Sequence, residues 1–230
     1  MATLPQTLER FNRKERNLLV RDILGHKDEV HLPLSKDFRT KLRQSLSLDG
    51  EVLADAWWAT DYHINWLAGA LAVYIKGESV IDTPRCNPPA ASRKLVEGNQ
   101  EDVDLLIVNG RDMIMIEAKA YSDFTPGQIE SKLARLNLLN EFYKDLAPAP
   151  EQKICFFLAL QGPRNPTGLL TNVEWPGWIA NKKDRAWIEL ILNKPMTILE
   201  VTRCDKAGQS HKHGLFWKTF VSKLHNAKSL

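Results

Sequence analysis

The chain has 230 residues, a formal net charge of +3, 43% hydrophobic and 26% charged residues. That length buries a sizeable core as one domain with additions, and that composition excludes broad disorder. Three cysteines, Cys86, Cys155 and Cys204, have no metal-ligand spacing and exclude both a disulfide scaffold and a zinc module.

From the start, Leu8, Phe11, Leu18, Leu19, Ile23 and Leu24 suit one amphipathic helix closed by Gly25. No apolar leader segment precedes it, which with the odd cysteine count points to a reducing cytoplasm. Ser35 caps a second helix, Lys36 to about Leu46, with Phe38, Leu42 and Leu46 inward. A third is expected from Thr60 or Asp61 to Ile75. Its apolar run, Ile64 to Ile75, is about half a bilayer span, so it reads as a buried helix and the chain is not expected to engage a membrane. The first sheet strand is placed at Ser79 to Asp82 or Lys94 to Glu97, within a Pro-rich stretch that reads as a long loop.

Residues 103 to 119 carry the chemistry. Leu105 to Val108 and Met113 to Ile116 are apolar runs split by Asn109-Gly110-Arg111-Asp112, the pattern of a β-hairpin. Side chains alternate along a strand, so Glu117 and Lys119 share a face. If Val108 pairs with Met113, Asp104 stands directly across from Glu117. If Val108 pairs with Arg111, Asp102 stands there and Asp104 is diagonal. Either register gathers carboxylates and a lysine within about 5 to 7 Å. Burying such charges is costly unless they are paired or bound to an ion. Crowded carboxylates raise a pKa or attract a cation, and hard oxygen ligands suit Mg²⁺ or Mn²⁺.

Thr125-Pro126-Gly127-Gln128 has the form of a capping box with Pro at the first helical position. Ile129, Leu133, Leu136, Leu139, Phe142, Tyr143 and Leu146 continue as a long amphipathic helix. Gln128, Lys132 and Arg135 fall on its polar side, where Lys132 and Arg135 read as solvated. An apolar strand, Ile154 to Leu160, follows; a right-handed crossover makes it parallel in the same sheet. Cys155 and Cys204 lie in apolar runs and are expected to be buried thiols. Trp175, Trp178 and Trp187 flank a Pro/Gly-rich loop; exposed aromatics beside basic residues can stack on bases, although Trp187 suits the core. Two strands, Trp187 to Leu192 and Thr197 to Thr202, joined by a turn at 193–195, precede a last helix from His211 to Leu224. His211 and His213 lack a third ligand and read as surface.

Asp104, a hairpin, then Glu117-Ala118-Lys119 resembles the active site of the PD-(D/E)XK, or restriction-endonuclease-like, nuclease superfamily. Val103 replaces the usual proline. The likeness covers roughly residues 60 to 160 and implies an αβββαβ core. It also implies metal-dependent cleavage of phosphodiester bonds, leaving a 5′-phosphate. By that likeness Asp104 and Glu117 hold Mg²⁺ or Mn²⁺, and Lys119 orients the attacking water. Gln128 becomes a contact near the metal, its capping role being the other reading. Asp61, or else Glu15, would supply a further carboxylate from the helix before the sheet; otherwise Asp61 is a first-turn acid and Glu15 part of a charged surface. His63 is either a general base or a satisfied, partly buried histidine. Arg13, Lys14 and Arg16 are either phosphate contacts or a solvated face.

The expected fold is therefore a single α/β domain over 1–230. It comprises a helical extension (1–59), a nuclease-like core with a mixed sheet (60–160), and C-terminal strands with a helix (161–230). Residues 51 to 181 carry eleven Lys/Arg against seventeen acids, and residues 182 to 230 carry ten against four. An acidic centre needs cations and a basic flank suits a phosphate backbone, so DNA is the expected partner. A catalytically inactive nuclease-fold module that binds nucleic acid, or a protein-interaction module, is the alternative. A homodimer is compatible with the sequence.

Overall fold

The computed structural model describes residues 2–23, 32–48, 50–77, 95, 96, 98, 101–120, 122–191 and 197–223. Three helices come first: α1 (Leu4–Phe11), α2 (Glu15–Ile23) and α3 (Lys36–Leu46). The single N-terminal helix expected from the sequence is two. Asn12 leaves the helical region with φ −75° and ψ 106°, and its side-chain Oδ1 accepts from the Lys14 N–H. A short polar side chain that bonds nearby backbone competes with helix continuation. As a result Leu18, Leu19 and Ile23 on α2 are exposed rather than inward. The third helix starts where Ser35 was expected to cap it, with Ser35 Oγ accepting from the Phe38 N–H.

A five-stranded sheet forms the centre, in the order β1 (Trp57–His63), β2 (Asp102–Asn109), β3 (Asp112–Ala118), β4 (Cys155–Gly162) and β5 (Trp187–Glu189). β2 runs antiparallel to both β1 and β3; β4 and β5 run parallel to β3. α4 (Ile64–Lys76) connects β1 towards β2, and α5 (Pro126–Asp145) crosses from β3 to β4. The chain is thus a mixed α/β fold. Alternation sorts the strand side chains into two layers. Met113, Met115, Leu106, Val108, Phe156 and Leu158 pack with α1, α4 and α5. Ile107, Ile114, Ile116, Phe157 and Ala159 pack with α3 on the other face.

Several expectations are corrected. Residues 57–63 form an edge strand, not the start of a helix; Trp57, Trp58, Thr60 and Tyr62 have the bulky and β-branched side chains that pleated surfaces favour. The helix begins at Ile64 and is buried as expected through Ile64, Leu67, Ala70 and Leu71. The strand anticipated at 79–82 lies outside the described residues. Of 94–97, Leu95 and Val96 lie in a bend. The expected C-terminal helix is instead strand β7 (Phe216–Lys223), paired antiparallel with β6 (Thr197–Cys204) in a separate two-stranded sheet. It begins Phe-Trp-Lys-Thr-Phe-Val, and Trp217 and Val221 stay exposed with Leu199 and Val201 on one face. The preceding strand is shorter than expected, Trp187–Glu189, and joins the central sheet; the anticipated turn at 193–195 lies outside the described residues. Cys204 is buried, whereas Cys155 opens β4 and is exposed. Cys86 lies outside the described residues. Among the described residues no helix is long and apolar enough to cross a membrane.

Candidate active site

The hairpin fixes the site. Leu105 pairs with Ile116 and Val108 with Met113, which settles the register: one step further, Asp104 stands opposite Glu117. The turn itself is Gly110-Arg111, because Asn109 still pairs with Asp112. Gly110 has φ 61°, the left-handed region that glycine enters without steric cost. Asp104 Oδ2 accepts from the Ala118 N–H at 2.7 Å, which ties the carboxylate to the strand bearing Glu117.

Glu117 continues the alternation of Met113 and Met115, so it rises towards α5. There it lines a cavity of about 210 Å³ together with Lys119, Gln128, Lys132, Glu101 and Phe124. Asp104 borders Glu117 but not this cavity. Burial pushes the Glu117 carboxyl up to about 7. Lys132 opposes that shift, while Asp104 and then Glu101 add to it by repulsion. Glu117 Oε1 is buried without an aligned hydrogen bond; Lys132 Nζ lies 3.0 Å away as an ion pair.

Lys119 also borders a second cavity of about 250 Å³, with Ser122, Asp123, Gly162 and Arg164. Its N–H donates to the Gln161 carbonyl at 2.8 Å, extending the parallel β3–β4 pairing past Ala118. Gly162 permits the close approach: a Cβ there would stand 2.9 Å from the Lys119 carbonyl oxygen.

Gln128 caps its helix and also lines the cavity. Its N–H donates to Thr125 Oγ1 at 3.4 Å and its Oε1 accepts from the Thr125 N–H at 3.3 Å, completing the capping box, while the side chain lines the cavity. Such a box stabilises a helix start by about 1 kcal/mol.

Asp61 lies on β1 and not on a helix. Counting on from Thr60–Leu105, it is level with Asp104. Its φ of 51° breaks the pairing there, and its carboxylate sits 3.5 Å from Arg16. Glu15 opens α2 and is exposed. His63 is buried, hydrogen-bonded through Nδ1 to Asp102 Oδ1, and edge-on to Trp66 at 4.0 Å. It is a satisfied partner. Lys14 pairs with Asp102 Oδ2 at 2.8 Å, and Arg13 stands 6.0 Å from the Trp66 ring centroid.

Two residues read as solvated are not. Arg135 is 1% exposed and donates to Asn65 Oδ1 and the Leu95 carbonyl, each at 2.7 Å. Lys132 faces the site. Its spacing of four from Gln128, one turn along the same helix face, was the available signal. Glu101, just before β2, had no such signal. Trp175 and Trp178 are half-buried and hydrogen-bonded to the Asn181 carbonyl and Asn137 Oδ1, and Trp187 packs on the core. His211 and His213 have ring centroids 6.4 Å apart on the exposed β6–β7 connection.

The donor set consists of hard oxygens: two carboxylates, one with a buried oxygen lacking an aligned hydrogen bond. It suits Mg²⁺ or Mn²⁺ better than softer metals. Among the described residues no three His, Cys, Asp or Glu side chains converge as a complete cage. Mg²⁺ retains several waters, so two protein carboxylates are a fitting complement.

No known protein family, curated protein or solved structure matches the chain.

Proposed function

We propose that the chain is a metal-dependent nuclease of the PD-(D/E)XK type that hydrolyses phosphodiester bonds of DNA. One observation carries this reading: Asp104 and Glu117 are level on adjacent strands, and Lys119 follows two residues on, lining the same cavity as Glu117. The strand order adds support. A helix precedes three antiparallel strands, and a helix then leads to a fourth strand parallel to the third. That order agrees with an αβββαβ core carrying α4 as an insertion between the first two strands.

Asp104 and Glu117 would hold the divalent cation. When bound, Mg²⁺ supplies charge that polarises a phosphate oxygen and lowers the pKa of an attacking water. Lys119 presents a positive charge beside the cavity, where it orients that water and stabilises negative charge developing on phosphorus-bound oxygens. Gln128 Oε1 is committed to the helix cap, which leaves its amide N–H groups as donors for a phosphate. Asp61 is placed to add a carboxylate only if its pair with Arg16 opens.

The test is incubation of purified protein with plasmid, linear and branched DNA, single strands and RNA, in Mg²⁺, Mn²⁺ or EDTA. Cleavage that needs the cation and is lost in Lys119→Ala and Asp104→Ala supports the proposal. Nucleic-acid binding that ignores Mg²⁺ and survives Glu117→Ala, without cleavage, marks a non-catalytic module instead.

A further inference from the structure

We propose that Lys132 is a built-in counter-ion. Its ammonium pairs with Glu117, one of the two proposed cation ligands, in the metal-free protein and is displaced when a divalent cation binds. The inference rests on the metal-site reading above, and deepens it.

Lys132 Nζ is surrounded by oxygens. Glu117 Oε1 lies at 3.0 Å, Glu101 Oε1 at 3.8 Å, and the Asp102 carbonyl accepts a hydrogen bond from it. Two carboxylates and a backbone carbonyl are the ligand types that hard divalent cations take. The Lys132 side chain is 12% exposed, so these contacts form where water screens little. A buried carboxylate without a counter-charge is strongly unfavourable. In the metal-free protein Lys132 answers that cost for Glu117, whose charged form burial disfavours.

The same geometry makes Lys132 a competitor. An ammonium 3.0 Å from Glu117 Oε1 holds lone pairs that a cation needs, and it repels a second positive charge at that distance. The four-carbon stem lets the ammonium leave without moving α5. Once released it stays within reach of the cavity that Gln128 and Lys119 also line. A substrate phosphate is its next partner there. Cation and nucleic acid thus favour each other's binding, because each rewards the same movement of Lys132.

The experiment is an Mn²⁺ titration without nucleic acid, following free Mn²⁺ by electron paramagnetic resonance. It compares wild type, Lys132→Gln, Glu117→Gln and the double variant. Lys132→Gln is expected to bind Mn²⁺ at least ~10-fold more tightly, to melt at a lower temperature than wild type in EDTA, and to gain more on Mn²⁺ addition. Both Glu117→Gln proteins should bind weakly. Equal affinity of wild type and Lys132→Gln, with binding still lost on Glu117→Gln, overturns the counter-ion role and leaves the metal site standing. Binding by neither protein overturns both. A second readout is spectroscopic. Nitrogen-15 spectra of the lysine ammonium groups should show a protected Lys132 signal in EDTA, assigned by its loss in Lys132→Gln, that disappears on Mg²⁺ saturation. Its persistence at saturation overturns the proposal.

Discussion

Asp104 faces Glu117 across the β2–β3 pair, and its Oδ2 is held by the Ala118 N–H, the amide that follows Glu117. The aspartate is therefore part of the strand pairing as well as of the proposed site. Asp104→Ala leaves a partly buried N–H without its acceptor and should destabilise the fold by about 1 to 3 kcal/mol. Asp104→Asn retains a carbonyl oxygen for that N–H and should lose well under half as much stability. Urea denaturation of both variants checks the difference, and equal losses would show that the Ala118 contact contributes nothing.

Glu117 gives the metal-free protein a pH signature. Burial raises its carboxyl from 4.5 to about 7, so between those values the folded chain holds a proton that the unfolded chain releases. Stability therefore falls as pH rises through this window, by on the order of 3 kcal/mol. Glu117→Gln removes that slope. Melting temperatures in EDTA should favour the variant over wild type more at pH 8 than at pH 5. A difference independent of pH would mean that Glu117 is not desolvated.

Gly162 positions Lys119. A methyl group at residue 162 would meet the Lys119 carbonyl oxygen at 2.9 Å and the Trp187 ring at 3.3 Å. Backbone on one side and a packed ring on the other leave little room to yield. Gly162→Ala is expected to shift Lys119 and to lower kcat by roughly 10- to 100-fold. KM should change less, and stability should fall by about 1 to 3 kcal/mol. Steady-state kinetics beside a thermal melt test this, and an unchanged kcat would detach Lys119 from the chemistry.

The parts of the molecule specified by neighbouring residues were legible in the sequence. The hairpin, the Thr125–Gln128 capping box, the long helix after it and the parallel strand Cys155–Gly162 all follow from local turn chemistry and periodicity. β1 was hidden for two reasons. Its partner β2 lies far along the chain, and the left-handed Asp61 breaks the alternation that marks a strand. β7 was misread because Phe216, Trp217, Phe220 and Val221 recur at helical spacing. Exposed apolar residues on both faces of a two-stranded ribbon conceal the period of two. Within the site, strand alternation alone placed Glu117 beside Lys119. Lys132 and Arg135 looked solvated because a long polar side chain on a helix gives no local sign of what it reaches across the fold.

The most direct measurement is the initial rate of cleavage of a labelled duplex in Mg²⁺ by wild type, Asp104→Asn, Glu117→Gln and Lys119→Met, each confirmed folded by circular dichroism. Wild type should release 5′-phosphorylated ends only with the cation present, and each variant should fall by at least ~100-fold. Cleavage at the wild-type rate in all three variants, or undiminished in EDTA, would place the activity elsewhere and remove the role assigned to these residues.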